Sequence, residues 1–169
     1  MHKFSELVYR STSVSLERMK EWEFEVMREL QKNGSSIAVK NLQMIKLHKA
    51  IIAIGMFSLF ESILQNAFGE ESYAFEEAKK RLGKLDKVEL NKSFKYFNKA
   101  INVLKHGKGR SYDFLVENSN SLPFRIQLPN EAFFNEGDVS EVVTLIDVDD
   151  RFVLDCAKLI EDISNELKI

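Results

Sequence analysis

The stretch Asp86–His106, DKVELNKSFKYFNKAINVLKH, decides the fold. Leu90, Phe94, Phe97, Ile101 and Leu104 recur in it at spacings of 4, 3, 4 and 3. Side chains so spaced share one face of an α-helix, so the stretch is a helix with an unbroken apolar stripe. Asp86 and Glu89 have capping-box spacing, and Leu85 and Leu90 stand where a hydrophobic staple would sit. The expected helix therefore starts after Asp86 and ends at His106, with Gly107 beyond it.

Upstream, Leu16, Met19, Trp22 or Glu23, Val26 and Leu30 predict a first helix from about Ser13 to Asn33, stopped by Gly34. Ser35 or Ser36 caps a second helix over about Ile37–Phe68, antiparallel to the first because the connection is tight. Its second half, AIIAIGMFSLFESILQNAF (50–68), is apolar on nearly every face. Ser58, Glu61, Ser62, Gln65 and Asn66 interrupt the run and no basic flank orients it, so a central helix surrounded by others is expected, not a membrane span. Gly55, Ser58 and Ser62 share a stripe where a neighbour could approach closely. A shorter helix is expected over Ser72–Leu82, closed by Gly83.

After Ser111 the pattern changes. Tyr112–Val116 has the length of one helical turn, and Asn118–Ser121 is polar loop. PFRIQL (123–128) and VVTLI (142–146) resemble two short strands of a hairpin. Asp147 or Asp149 can cap a last helix whose inner stripe is Val153, Cys156, Ile160, Ile163 and Leu167. The expected fold is thus an all-α antiparallel helical bundle of four to five helices in a single domain, 1–169. A small β-hairpin or irregular insertion is expected near 118–147.

Composition agrees with a globular chain: of 169 residues, 44% are hydrophobic and 30% charged, with only 7 Gly and 2 Pro. One cysteine excludes an internal disulfide framework, and with no apolar leader at the start a cytoplasmic location is expected. Three scattered histidines and one cysteine form no metal-ligand spacing, so neither metal nor cofactor is expected. The net charge of −2 conceals a polarity. Lys79–Arg110 holds eleven Lys/Arg against two acids, and Pro129–Ile169 eleven acids against three basic residues. The basic segment either meets an outside anion or is neutralised by the acidic one.

The helix ending at His106 has a second face. Asn91, Lys95, Asn98, Asn102 and His106 follow at spacings of 4, 3, 4 and 4, flanked by Lys92, Lys99 and Lys105. Such a stripe is either the solvated side of an amphipathic helix or an anion site. As a site, imidazole exchanges a proton near neutral pH, and lysines with Arg110 hold a phosphodiester. Gly107 and Gly109 allow backbone close to the anion.

The segment Asn102–Ser111, NVLKHGKGRS, resembles the N-x-x-K-H-G-x-G stretch of prokaryotic proteins of the HEPN superfamily. Phe57–Leu64 resembles their central helix, which often carries an aromatic-x-Glu pattern. The resemblance covers about a third of the chain, Ile52–Tyr112. It implies a single HEPN-like all-α domain that forms a homodimer and binds RNA, a nucleotide or a partner protein. It also implies toxin–antitoxin or phage-defence settings, with a cognate antitoxin or nucleotidyltransferase as possible partner. His106 matches the motif histidine of the metal-independent endoribonucleases in that family and Asn102 the polar residue that usually follows the motif arginine, so these two are the candidate catalytic pair. Lys99, Lys105, Lys108, Arg110 and Ser111 are the candidate RNA- or phosphate-binding residues, and Glu61 a possible buried support. The motif arginine is absent: Ile101 precedes Asn102, and Lys99 lacks the bidentate guanidinium fork. A catalytically weak or silent module is therefore favoured over an active ribonuclease. A structural dimer without nucleic-acid binding is the third reading.

Overall fold

The computed structural model describes residues 2–69, 73–131, 140–142 and 144–169. Six α-helices occur among them, more than the four to five expected: α1 (Phe4–Asn33), α2 (Ser36–Phe68), α3 (Ala74–Lys84), α4 (Val88–His106), α5 (Arg110–Glu117) and α6 (Asp150–Leu167).

The turn from α1 to α2 follows the sequence closely. Gly34 adopts φ +58°, its N–H bonds to Leu30 O at 2.9 Å, and Ser35 Oγ accepts from Ile37 N–H. α1 begins nine residues before the expected Ser13, and the Ser13 hydroxyl, inside the helix, donates back to Tyr9 O at 3.0 Å. Trp22 packs with Leu30 against Val26, Ala38 and Leu42, a small cluster beside this turn.

α3 ends two residues past the expected Leu82, with Gly83 inside the helix. The reversal is made by Asp86, whose φ of +55° lets its N–H reach Gly83 O while Lys87 N–H reaches Leu82 O. That corrects the expected capping box. A residue in the left-handed region terminating α3 does not cap α4; Lys87 occupies that position, without a side-chain cap bond. Leu85 is half exposed. The expected start at Ser72 lies outside the described residues.

The main core draws on all six helices. Phe57 and Phe60 of α2, Phe75 of α3 and Phe94 of α4 form one aromatic group with ring centroids 5.2–6.4 Å apart. Phe97, Phe124 and Phe152 form a second at 5.1–5.3 Å. The α4 stripe points inward, with Phe94, Phe97 and Ile101 buried and Leu90 and Leu104 partly so. Asp149 caps α6 by accepting from Phe152 N–H at 2.7 Å, and Val153, Cys156, Ile160 and Ile163 are fully buried.

The hairpin is reduced to a single antiparallel bridge, Ile126 with Ile146, flanked by Gln127 N–H to Leu145 O and Asp147 N–H to Arg125 O. No strand occurs among the described residues. The two ends of the insertion instead bury Ile126, Ile146 and Val148 against the helices. Part of the second expected strand, Val143, lies outside the described residues.

α2 packs against α1, α3, α4 and α6, yet it is not surrounded as expected. Ile51 and Leu59 are more than half exposed, and Gly55, Ser58 and Ser62 face solvent. Among the described residues it is the one helix long and apolar enough to cross a membrane, with 39% of its most apolar window buried.

Lys49 on α2 is 5% exposed. Its Nζ lies 2.8 Å from Asp150 Oδ1 and 3.4 Å from Glu23 Oε2, which joins α2 to the start of α6 and to α1. Both acidic side chains are partly exposed, although the Asp150 Oδ1 facing Lys49 is itself buried and makes no hydrogen bond, so breaking this triad costs less than breaking a fully buried pair. Lys49→Met is expected to lower the unfolding free energy by about 1–3 kcal/mol in urea titration. An unchanged midpoint would mean the triad contributes nothing.

Candidate nucleic-acid interface

α4 runs between two environments. Its last turns border a cleft of about 290 Å³, closed on the other sides by the second half of α2 and the start of α3. The floor is apolar, made by Phe57, Phe75 and Ile101. The rim is polar: Ser58, Glu61 and Gln65 from α2, Tyr73 and Glu76 at α3, and Asn98, Asn102 and Lys105 from α4. The cleft exists because α2 and α4 both turn large apolar side chains toward Phe75, leaving their polar residues at the edge. Two asparagines, a lysine and two glutamates offer donors and acceptors of both kinds, and Tyr73, 85% exposed, offers a free ring face.

Of the expected site residues, the cleft collects Glu61, Asn102 and Lys105. Glu61 is exposed, which corrects its expected role as a buried support: it lies on the edge of α2 that no other helix covers. His106 is exposed at the end of α4 and does not line the cleft with Asn102. The spacing of four puts the two on one side of the helix, but His106, the last residue of α4, does not border the cleft although Lys105 beside it does.

Lys99 faces the other flank. Its Nζ and that of Lys95 lie 5.9 and 4.4 Å from the ring centroid of Phe114 on α5. Lys108 lies 5.9 Å over Tyr112, and Arg110 is exposed at the start of α5 with Ser111 half-buried beside it. Gly107, at φ +72° and ψ −145°, makes the bend between α4 and α5 in a conformation that favours glycine. The stripe is thus divided: Asn98, Asn102 and Lys105 belong to the cleft, Lys95 and Lys99 to a shoulder shared with α5. Asn91 belongs to neither, since its Nδ2 donates to Lys79 O at 3.0 Å and ties α4 to α3.

The charge polarity is mostly not cancelled across the fold. The α3 cations Lys79, Lys80 and Arg81 pair with Glu76 and Glu77 of the same helix. The hydrogen bond from Arg81 holds the Glu77 carboxyl below its usual range. On α6, Lys158 pairs with Glu161 and Asp162, and Arg151 with Asp155. Lys87 to Glu166, at 2.8 Å, joins the basic and acidic segments. Among the described residues, Lys92, Lys95, Lys99, Lys105, Lys108 and Arg110 have no carboxylate within ion-pair distance.

Phe114 and Tyr73 escape sequence reasoning. Nothing in the order of residues says that a ring in α5 lies under two lysines of α4, or that Tyr73 stands over the cleft. Asn98 was legible, one turn before Asn102 on the same stripe. Tyr112 is structural: its hydroxyl donates to Gln127 O at 2.7 Å, and burial raises its pKa. No group of His, Cys, Asp and Glu able to hold a metal occurs among the described residues. Compared with known proteins, the chain matches no family model, no curated protein and no solved structure.

Cys156 is fully buried and burial raises its thiol pKa well above the usual value of 9.0, which removes it as a nucleophile. A thiol that stays protonated in the folded state but ionises when unfolded makes stability full below about pH 9 and progressively lost above it. Cys156 is expected to react with a thiol reagent only under unfolding conditions, and Cys156→Ala to flatten the alkaline decline. Rapid labelling of the native protein would contradict the burial.

Proposed function

We propose that this chain is a HEPN-like helical module that binds single-stranded RNA through α4 and α5 and is catalytically silent. The observation that carries the reading is the set of six cations on these helices and the turn between them without carboxylate partners. In a chain of net charge −2, a run of cations without acidic partners along one helix and the turn after it is suited to a phosphate backbone. Beside them the cleft supplies what an unstacked base requires: amides from Asn98 and Asn102, and the exposed ring of Tyr73 for stacking.

Silence is favoured by two features. The arginine of the resembled motif is replaced by the core residue Ile101. His106 stands outside the cleft that holds Asn102, so the expected catalytic pair does not share a pocket. General acid–base catalysis needs the histidine within hydrogen-bond reach of the reacting hydroxyl.

Fluorescence anisotropy with a single-stranded RNA oligonucleotide tests the reading. Binding is expected to weaken steeply with salt, by about 0.7 in log–log slope for each phosphate neutralised. Changing Lys95, Lys99 and Lys105 together to Gln should reduce that slope by about 2. In EDTA the wild type and His106→Ala are expected to leave the RNA equally intact. No binding at low salt would remove the proposal, and cleavage lost only in His106→Ala would restore the ribonuclease reading.

A further inference from the structure

We infer that the uncovered face of α2 is a seam between two copies of this chain, packed antiparallel about Ile51. The inference rests on the shape and charge of that face and does not depend on RNA binding. Met44, Leu47 and Ile51 are each about half exposed, and they share one side of the helix at spacings of 3 and 4. Exposed apolar side chains aligned contiguously along a helix form the kind of patch that marks an interaction site. Beyond Ile51 the same side continues as Gly55, Ser58 and Ser62, all exposed. The face is therefore raised before Ile51 and lowered after it.

Such a surface is complementary to itself. A two-fold axis at Ile51 sets residue i of one copy against residue 102 − i of the other. Leu47 then meets Gly55, and Met44 meets Ser58, so these two large side chains enter the places of small ones while Ile51 packs on its own copy at the axis. Charge follows the same register. Lys40, exposed eleven residues before Ile51, comes beside Glu61, exposed ten residues after it. A parallel pairing would set large against large and Lys40 against Lys40. The seam also borders the cleft, because Ser58 and Glu61 line both, and it brings Lys40 of the second copy to the cleft rim.

Gly55 provides the decisive variant. A Cβ added there meets nothing within 4 Å in the single chain, and the residue lies inside a helix, so a larger side chain leaves the monomer fold intact. In the seam it would collide with Leu47. Sedimentation equilibrium of the full chain at micromolar concentrations should show a dimer. Gly55→Leu should weaken it about 30-fold or more, the size of a central hot-spot change, with helical circular dichroism and thermal unfolding retained. Ile51→Cys should form a disulfide-linked dimer under mild oxidation, and Leu47→Cys should not. Cys156 is buried and gives no background. A monomeric wild type, an undiminished Gly55→Leu dimer, or equal cross-linking at positions 47 and 51 would overturn the inference. So would binding of the wild type to neutral phospholipid vesicles in place of self-association.

Discussion

An apolar helix longer than its neighbours can cover is the constraint behind this structure. α2 carries apolar residues round most of its circumference, and α1, α3, α4 and α6 pack against parts of it. Phe57, Phe60 and Leu64 fill the centre of the core, while Ile51 and Leu59 stay in water. The polar interruptions Ser58, Glu61 and Gln65 fall along the edge between these zones, where α4 comes alongside, and that edge is the cleft. Core, cleft and open face are three sides of one helix.

α4 obeys a related rule. Its apolar stripe is consumed by the two aromatic groups of the core, so its polar stripe must lie at the surface. What it meets there depends on the neighbours. On one side α2 and α3 frame Asn98, Asn102 and Lys105; on the other α5 lays Phe114 under Lys95 and Lys99. The acidic residues of α6 bond largely to that helix's own lysine and arginine, so they do not neutralise α4. A charge polarity that is plain in the chain survives folding as a basic shoulder.

Much of this was legible in the residues, and the departures have physical reasons. The α1–α2 turn at Gly34 and Ser35, the α4 stripe and the Asp149 cap follow from local chemistry and appear as expected. Asp86–Glu89 has the spacing of a capping box, but Asp86 is needed in the left-handed region to end α3, and one residue does not serve both functions. The alternating PFRIQL and VVTLI segments pair only at Ile126 and Ile146 because their burial against the helices takes the place of a ladder. Lys49 looked like one lysine among many. It is buried because Glu23 and Asp150, 26 and 101 positions away, arrive at the same point.

Periodicity, glycines and caps act over a few residues, so the order of amino acids alone determined the long helices, their apolar faces and the position of Asn102 and His106 on the polar face of one of them, but not the eight-residue α5. Which polar residues share a cleft is a different matter. It depends on how α2, α3 and α4 are set beside one another, a relation between residues up to about 50 positions apart. Only the tertiary arrangement therefore decided that Glu61, Asn102 and Lys105 converge and that His106 does not. It also decided that one side of α2 is left without a neighbour from its own chain. Packing sums the demands of many side chains at once, and no local pattern records the result.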